Sequence, residues 1–134
     1  MKTIKRRSFL TNVAITSALG VAATLPTEAN TKKKTFIHHV YFWLKNPSSE
    51  ADRNKLIEGL TALSKVPTIR FHHIGLPAST NRSVIERSYS VSWMLFFDNL
   101  EEEEVYQKHP IHLKFVEDYS HLWEKVIVYD SEQV

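Results

Sequence analysis

An imidazole with its ordinary pKa of about 6.5 takes or gives up a proton at neutral pH, and this chain carries seven of them. Four stand in adjacent pairs, His38-His39 and His72-His73, and two bracket the run His109-Pro110-Ile111-His112. Neighbours on a strand point to opposite faces, so neither pair can hold one ion between its own rings. A metal would have to draw on different strands, for example His38 with His72 or His73 and His112. With no acidic residue at motif spacing, no metal site is expected. Tyr106, three residues before His109, falls on the same helical face. The absence of cysteine removes thiolate nucleophiles, disulfides and cysteine-bound zinc. The only glycines, Gly20, Gly59 and Gly75, spell neither a dinucleotide fingerprint nor a phosphate-binding loop, and no cofactor is expected.

A single domain must position these residues, because 134 residues allow one compact core and not two. The content of 43% hydrophobic and 24% charged residues suits a globular fold. The formal charge of +2 is unevenly spread. Lys2, Lys5, Arg6 and Arg7 lie within residues 1–30 beside a single acidic residue, Glu28, which leaves the remainder with one negative charge in excess. That balance, without a basic stripe, offers nucleic acid no electrostatic footprint.

Residues 1–30 read as a signal peptide. The basic start with Arg6-Arg7-Ser8-Phe9-Leu10 resembles the twin-arginine export signal. The stretch from Val13 to Leu25 is too short and too weakly apolar for a stable membrane span, as suits the middle of a signal. Small residues at Val21 and Ala23, or at Thr27 and Ala29, offer two cleavage sites. The expected product is periplasmic or extracellular and has no lipid-anchoring cysteine. Residues 31–35 are expected to be a linker, 36–130 the domain and 131–134 a tail.

Within the domain, Phe36 to Lys45 is dense in aromatic and β-branched residues and predicts a first strand. Ser49, with Asp52 three residues on, predicts the cap of a four-turn helix bearing Leu56, Ile57, Leu60 and Leu63, which Pro67 ends. Thr68 to Ile74 reads as strand two, Ala78 to Arg87 as a surface loop, and Tyr89 to Phe97 as strand three. Asp98 is placed to cap a helix that opens with the solvated acidic run Glu101 to Glu104. Pro110 interrupts that helix, and a second piece carries Leu113, Phe115 and Val116. Trp123 to Tyr129 closes the chain as strand four. The order β-α-β-β-α-β is the ferredoxin-like α+β arrangement with an antiparallel sheet. Strand one is apolar in both phases, with Phe36, Val40, Phe42 and Leu44 on one face and Ile37, Tyr41 and Trp43 on the other. A second copy is therefore expected to cover the back of the sheet, giving a homodimer. Trp43, Trp93 and Trp123 are assigned to the core and that interface.

Phe36-Ile37-His38-His39-Val40 with Lys45 closing the strand, Tyr106 ahead of His109-Pro110-Ile111-His112, Phe115-Val116, and the terminal Val126-Ile127-Val128-Tyr129-Asp130 together resemble the stress-responsive A/B barrel (Dabb) domain. The resemblance runs from about residue 36 to 130. It implies a dimeric α+β barrel of two ferredoxin-like protomers packed sheet to sheet. The family includes plant stress-responsive proteins and polyketide cyclases that close a linear chain by an intramolecular aldol-type reaction without a cofactor. By that resemblance Tyr106 and His112 take the acid/base roles, and His38 matches the family's first-strand histidine. Val91 stands where the plant cyclase carries a further histidine, and Val91, Trp93 and His109 become the implied substrate contacts.

Two classes of function are open on these grounds. One is a cofactor-independent, cyclase- or lyase-like enzyme acting on a small apolar carbonyl compound at His38, Tyr106 and His112. The other is a non-catalytic ligand-binding or stress-protective dimer, in which H-P-x-H shapes a helix break and its histidines satisfy backbone carbonyls. The leader makes a test of its own. Arg6→Lys combined with Arg7→Lys is expected to hold a folded protein in the cytoplasm, because the domain has no disulfide to miss. Cell fractionation reads the result, and unchanged export would show that the arginine pair is incidental.

Overall fold

Strand β1, Phe36–Leu44, alternates strictly, with Phe36, His38, Val40, Phe42 and Leu44 buried and the residues between them half-buried. It occupies an inner position of the sheet, because its two edges pair antiparallel with β3 (Val91–Phe97) and β4 (Trp123–Glu132). Strand β2 (Phe71–Gly75) adds to the outer edge of β3, completing the order β2-β3-β1-β4. This is the ferredoxin-like α+β fold in a computed structural model that describes residues 33–134 and, alone in the preceding segment, Gly20. The expected leader and its cleavage sites lie outside the described residues.

Helices α1 (Glu50–Leu63), α2 (Leu100–Lys108) and α3 (Pro110–Tyr119) cover the face that presents Phe36, Val40 and Phe42. Ser49 caps α1 as its spacing predicts, its Oγ accepting the Asp52 amide at 3.1 Å. Leu56, Leu60 and Leu63 recur at helical spacing and are fully buried against the sheet. Gly59 lets α3 come close, because a Cβ there would stand 2.9 Å from the Tyr119 ring. Among the described residues no non-glycine residue and no glycine has a positive φ. None of their helices is long and apolar enough to cross a membrane.

Several local expectations shift. The cap of α2 is Asn99, whose Oδ1 accepts the Glu102 amide at 2.9 Å, and not Asp98. Asp98 turns instead to Arg70, whose Nε lies 2.9 Å from its carboxylate. Strand β2 begins at Phe71, because the Ile69 amide is bonded back to the Val66 carbonyl in a turn. A short 3₁₀ turn, Ser120–Leu122, intervenes before β4, which continues past Tyr129 to Glu132. Of the apolar residues Leu113, Phe115 and Val116 that α3 carries, Phe115 is buried. Leu113 and Val116 are exposed.

The back of the sheet carries Ile37, His39, Tyr41 and Trp43 with their cross-strand neighbours Met94, Phe96, Ile127 and Tyr129. The helices of the described residues all pack on the other face.

The roles of Asn99 and Asp98 can be told apart by salt. Asn99→Ala is expected to cost about 0.5–2 kcal/mol at any ionic strength, since it removes a hydrogen bond to an orphan amide. Asp98→Ala removes a partly exposed ion pair worth under about 1 kcal/mol, and its effect should vanish in molar salt. Denaturant melts in low and high salt make the comparison.

Candidate active site

The chemistry-bearing residues meet where the α2–α3 junction faces β1. His109 has φ −65° and ψ 139°, the extended backbone forced on a residue that precedes proline, so α2 ends there. Pro110 then opens α3 at a position where a missing N–H costs nothing. The change of direction swings His112 back onto Tyr106, and their ring centroids lie 4.7 Å apart. His38 comes up from β1 with its ring 5.8 Å from the same tyrosine, edge to face. The three surround a cavity of about 150 Å³, otherwise walled by hydrocarbon from Val40, Phe42, Trp93, Phe115 and Val128.

The hydrogen bonds at Tyr106 and at His112 Nδ1 fix the roles of both side chains. The indole Nε1 of Trp93 donates to the Tyr106 hydroxyl at 3.2 Å. That bond occupies a lone pair of the phenol oxygen and leaves its proton to be given elsewhere. Burial pushes the Tyr106 pKa well above its usual value of 10; the Trp93 hydrogen bond opposes this and the nearby Glu103 charge adds to it. The Nδ1 of His112 lies 3.0 Å from the Gln107 carbonyl, which can only accept, so Nδ1 carries the hydrogen. In the neutral ring Nε2 is then the free lone pair. Burial lowers the His112 pKa from 6.5; the Gln107 carbonyl works against this and His38 adds to it. The site thus pairs a neutral imidazole with a phenol that keeps its proton, a base and an acid in one apolar hole.

His38 is 5% exposed and has its Nδ1 2.6 Å from Asp130 Oδ1. A second carboxylate, Glu103, stands 3.8 Å from the same nitrogen and accepts a 2.5 Å bond from Gln107 Nε2. Gln107 thus holds Glu103 with its side-chain amide and His112 with its backbone carbonyl. Asp130, Glu103 and Gln107 were not among the candidates. Asp130 shares the phase of Val126 and Val128 and lies opposite His38 in the register, which a strand read one residue further would have indicated. Glu103 hides in the acidic run, yet unlike Glu101, Glu102 and Glu104 it is buried. Its i+3 and i+4 relation to Tyr106 and Gln107 is the signal that distinguishes it.

Of the implied substrate contacts, Trp93 lines the cavity. Val91 is fully buried in the core, and His109 spends its Nδ1 on the Ile111 amide at 3.1 Å as the cap of α3. Neither reaches the cavity wall. Among the described residues no three His, Asp or Glu side chains converge as a metal-binding set.

The sequence profile of the stress responsive A/B barrel domain, Dabb, matches residues 36–133. The chain belongs to the Dabb family. Among solved structures, this Dabb protein is similar to a Dabb family protein with a ferredoxin-like fold from Mesorhizobium loti, at 22% identity and TM-score 0.61, covering 73% of this chain and 95% of that one. A dimeric protein of ferredoxin-like fold from Bacteroides fragilis matches at 23% identity and TM-score 0.56, over 73% of this chain and 95% of that one. The hydroxynitrile lyase of Passiflora edulis matches at 16% identity and TM-score 0.63, over 76% and 95%. No curated protein sequence matches the chain significantly.

The depressed proton affinity of His112 has a definite sign. The unfolded chain takes the proton at a higher pH than the folded one, so His112 contributes stability that is present above about pH 6.5 and is lost as pH falls from there through the folded value. A proton NMR titration of its ring should show a midpoint below 6.5. Acid destabilisation over that range should be smaller in His112→Gln, and a midpoint above 6.5 would contradict the burial argument.

Proposed function

We propose that this Dabb protein is an exported homodimer that performs cofactor-independent acid/base chemistry, of the lyase or cyclase type, on a small carbonyl compound in the helix-side cavity. The observation that carries the reading is the pairing of Tyr106 and His112 at one apolar cavity with their proton affinities pushed apart in opposite directions. His112 Nε2 takes a proton from a substrate hydroxyl or activated C–H, and the Tyr106 hydroxyl donates to the oxygen that carries the developing charge. In cleavage the carbon–carbon bonding pair departs with the nucleophilic carbon, as cyanide or an enolate, which takes up the proton that His112 removed from the hydroxyl while that oxygen becomes the carbonyl. In the reverse direction the pair moves onto the carbonyl carbon and its oxygen gains the proton. His38, held by Asp130, stands beside them to orient the polar end of the substrate. A volume of about 150 Å³ falls below the ~300–1,000 Å³ of drug-sized pockets and argues for a small substrate. The hydroxynitrile lyase sharing this fold supports a lyase, and small cyanohydrins are accordingly the first substrates to try.

Export rests on the twin-arginine-like leader. The homodimer rests on the apolar back of the sheet and on fold neighbours described as dimeric. Nucleic acid has no part in the reading, and the cavity requires no metal or cofactor for this chemistry. The second class of function, a binding or stress-protective dimer without turnover, is favoured by the structural duties of the H-P-x-H histidines, His109 capping α3 and His112 bonded to the Gln107 carbonyl.

One set of measurements separates the two. The purified protein is assayed for release of carbonyl product from small aliphatic and aromatic cyanohydrins and β-hydroxyketones, with its mass read by light scattering. His112→Ala should lower turnover about 10²–10⁴-fold while the dimer persists. If the same change instead leaves turnover absent in both proteins and lowers stability by about 1–3 kcal/mol, the histidine is structural and the enzyme reading fails. A monomer at micromolar concentration would remove the dimer.

A further inference from the structure

Behind one wall of the acid/base cavity lies an excess of charge that the proton transfers do not use. His38 is buried and flanked by two carboxylates. Asp130 Oδ1 lies 2.6 Å from its Nδ1, and Glu103 Oε1 lies 3.8 Å from the same nitrogen. A carboxylate can only accept, so Nδ1 carries a hydrogen whatever the charge on the ring. With the ring neutral the trio holds two negative charges, and with the ring protonated it holds one. The wall behind His38 is negative in either state.

Glu103 is what turns a balanced pair into an excess. An imidazolium beside Asp130 alone would be neutral as a pair, and among the described residues the second carboxylate meets no further cation. Glu103 is 6% exposed and is held by the Gln107 side-chain amide, which donates to Oε1 at 2.5 Å. Its charge is felt at Tyr106, where it adds to burial in raising the phenol's pKa. No positive charge answers it from within the cavity. The described residues that line the cavity include no lysine and no arginine. Burial lowers the proton affinity of His112, the other imidazole there, so that this ring is neutral above about pH 6.5.

We infer that Glu103 is a specificity-determining residue that closes the cavity to anionic carbonyl compounds and reserves it for uncharged ones. The inference rests on the acid/base reading for the kind of ligand, a carbonyl compound, and adds the charge that this ligand must have. An anion brought into the apolar hole would lose its water, find no cation free to pair with it, and face the two carboxylates behind His38. Repulsion of this kind is screened little away from bulk water, so it weighs on affinity even where the contacts fit. A keto acid is turned away although its carbon skeleton fits, and an aldehyde, ketone or cyanohydrin of the same shape enters. Selectivity of this sort comes from what the site repels.

Benzoylformamide and benzoylformate make the test, because they share a skeleton and a ketone and differ in one charge. Each is titrated calorimetrically into the purified protein at about pH 8, where the acid is ionised and His112 is neutral. The ring NMR signals of His112 report whether the ligand sits in the cavity. The amide should bind at least about tenfold more tightly than the anion. Glu103→Gln keeps an oxygen to accept the Gln107 amide, and it should tighten benzoylformate several-fold while leaving the amide within about twofold. Asp130→Asn, at the exposed end of the trio, removes the other negative charge and should move benzoylformate in the same direction, which keeps the test open if Glu103→Gln does not fold. A protein that selects the amide yet turns over no cyanohydrin or β-hydroxyketone would end the enzyme reading and uphold this one. Equal binding of the two ligands, a preference unchanged in both variants, or no movement of the His112 signals with either ligand would overturn the inference.

Discussion

A histidine enclosed by hydrocarbon must find a partner for its polar atoms, and that requirement at His38 organises the middle of this fold. A buried group left without its hydrogen bond costs about 1–3 kcal/mol. Phe36 and Val40 flank His38 on the buried face and offer it nothing polar. The partner comes from β4, where Asp130 lies opposite in the antiparallel register. Strand β4 must therefore run that far, and the edge of β1 is occupied along its whole length as a result. Glu103 on α2 reaches towards the same ring, so helix and sheet are tied at the floor of the cavity by polar contacts as well as by packing.

The second constraint is covalent. Proline at position 110 dictates an extended His109, and two helices replace what would otherwise be one continuous helix. Had the helix continued, Tyr106 and His112 would be six residues apart on a straight rod, some 600° of rotation from one another and not side by side. The break stacks them against each other, with Tyr106 buried and His112 half-buried. Burial then raises the proton affinity of the phenol and lowers that of the imidazole, because in each it disfavours the charged form.

Much of this architecture was legible from periodicity alone. The two-residue alternation of β1, the Ser49 cap and the leucine spacing of α1 each have one physical solution, and the His-Pro step announces the helix break. What escaped were residues whose local pattern imitates something commoner. Glu103 sits in a run of four glutamates that reads as a solvated helix start, and only its distance from Tyr106 along the helix marks it as different. Asp130 lies beyond the last apolar residue of β4, where a strand read from hydropathy stops. Asp98 and Asn99 are both good caps, and long-range pairing with Arg70 decided between them.

The backbone of the described residues contains no left-handed turn, and its two glycines within the domain are required for space alone, Gly59 against Tyr119 and Gly75 against Ser92 and His73. Pro110 apart, no single described residue is therefore indispensable to the course of the chain through its dihedral angles. A fold written this way is carried by the alternation of its strands and can absorb wide replacement of side chains, provided each keeps its side of the sheet. The walls of the cavity are consequently free to change their chemistry while the scaffold persists, and selection can retune what the protein binds without first rebuilding what holds it up.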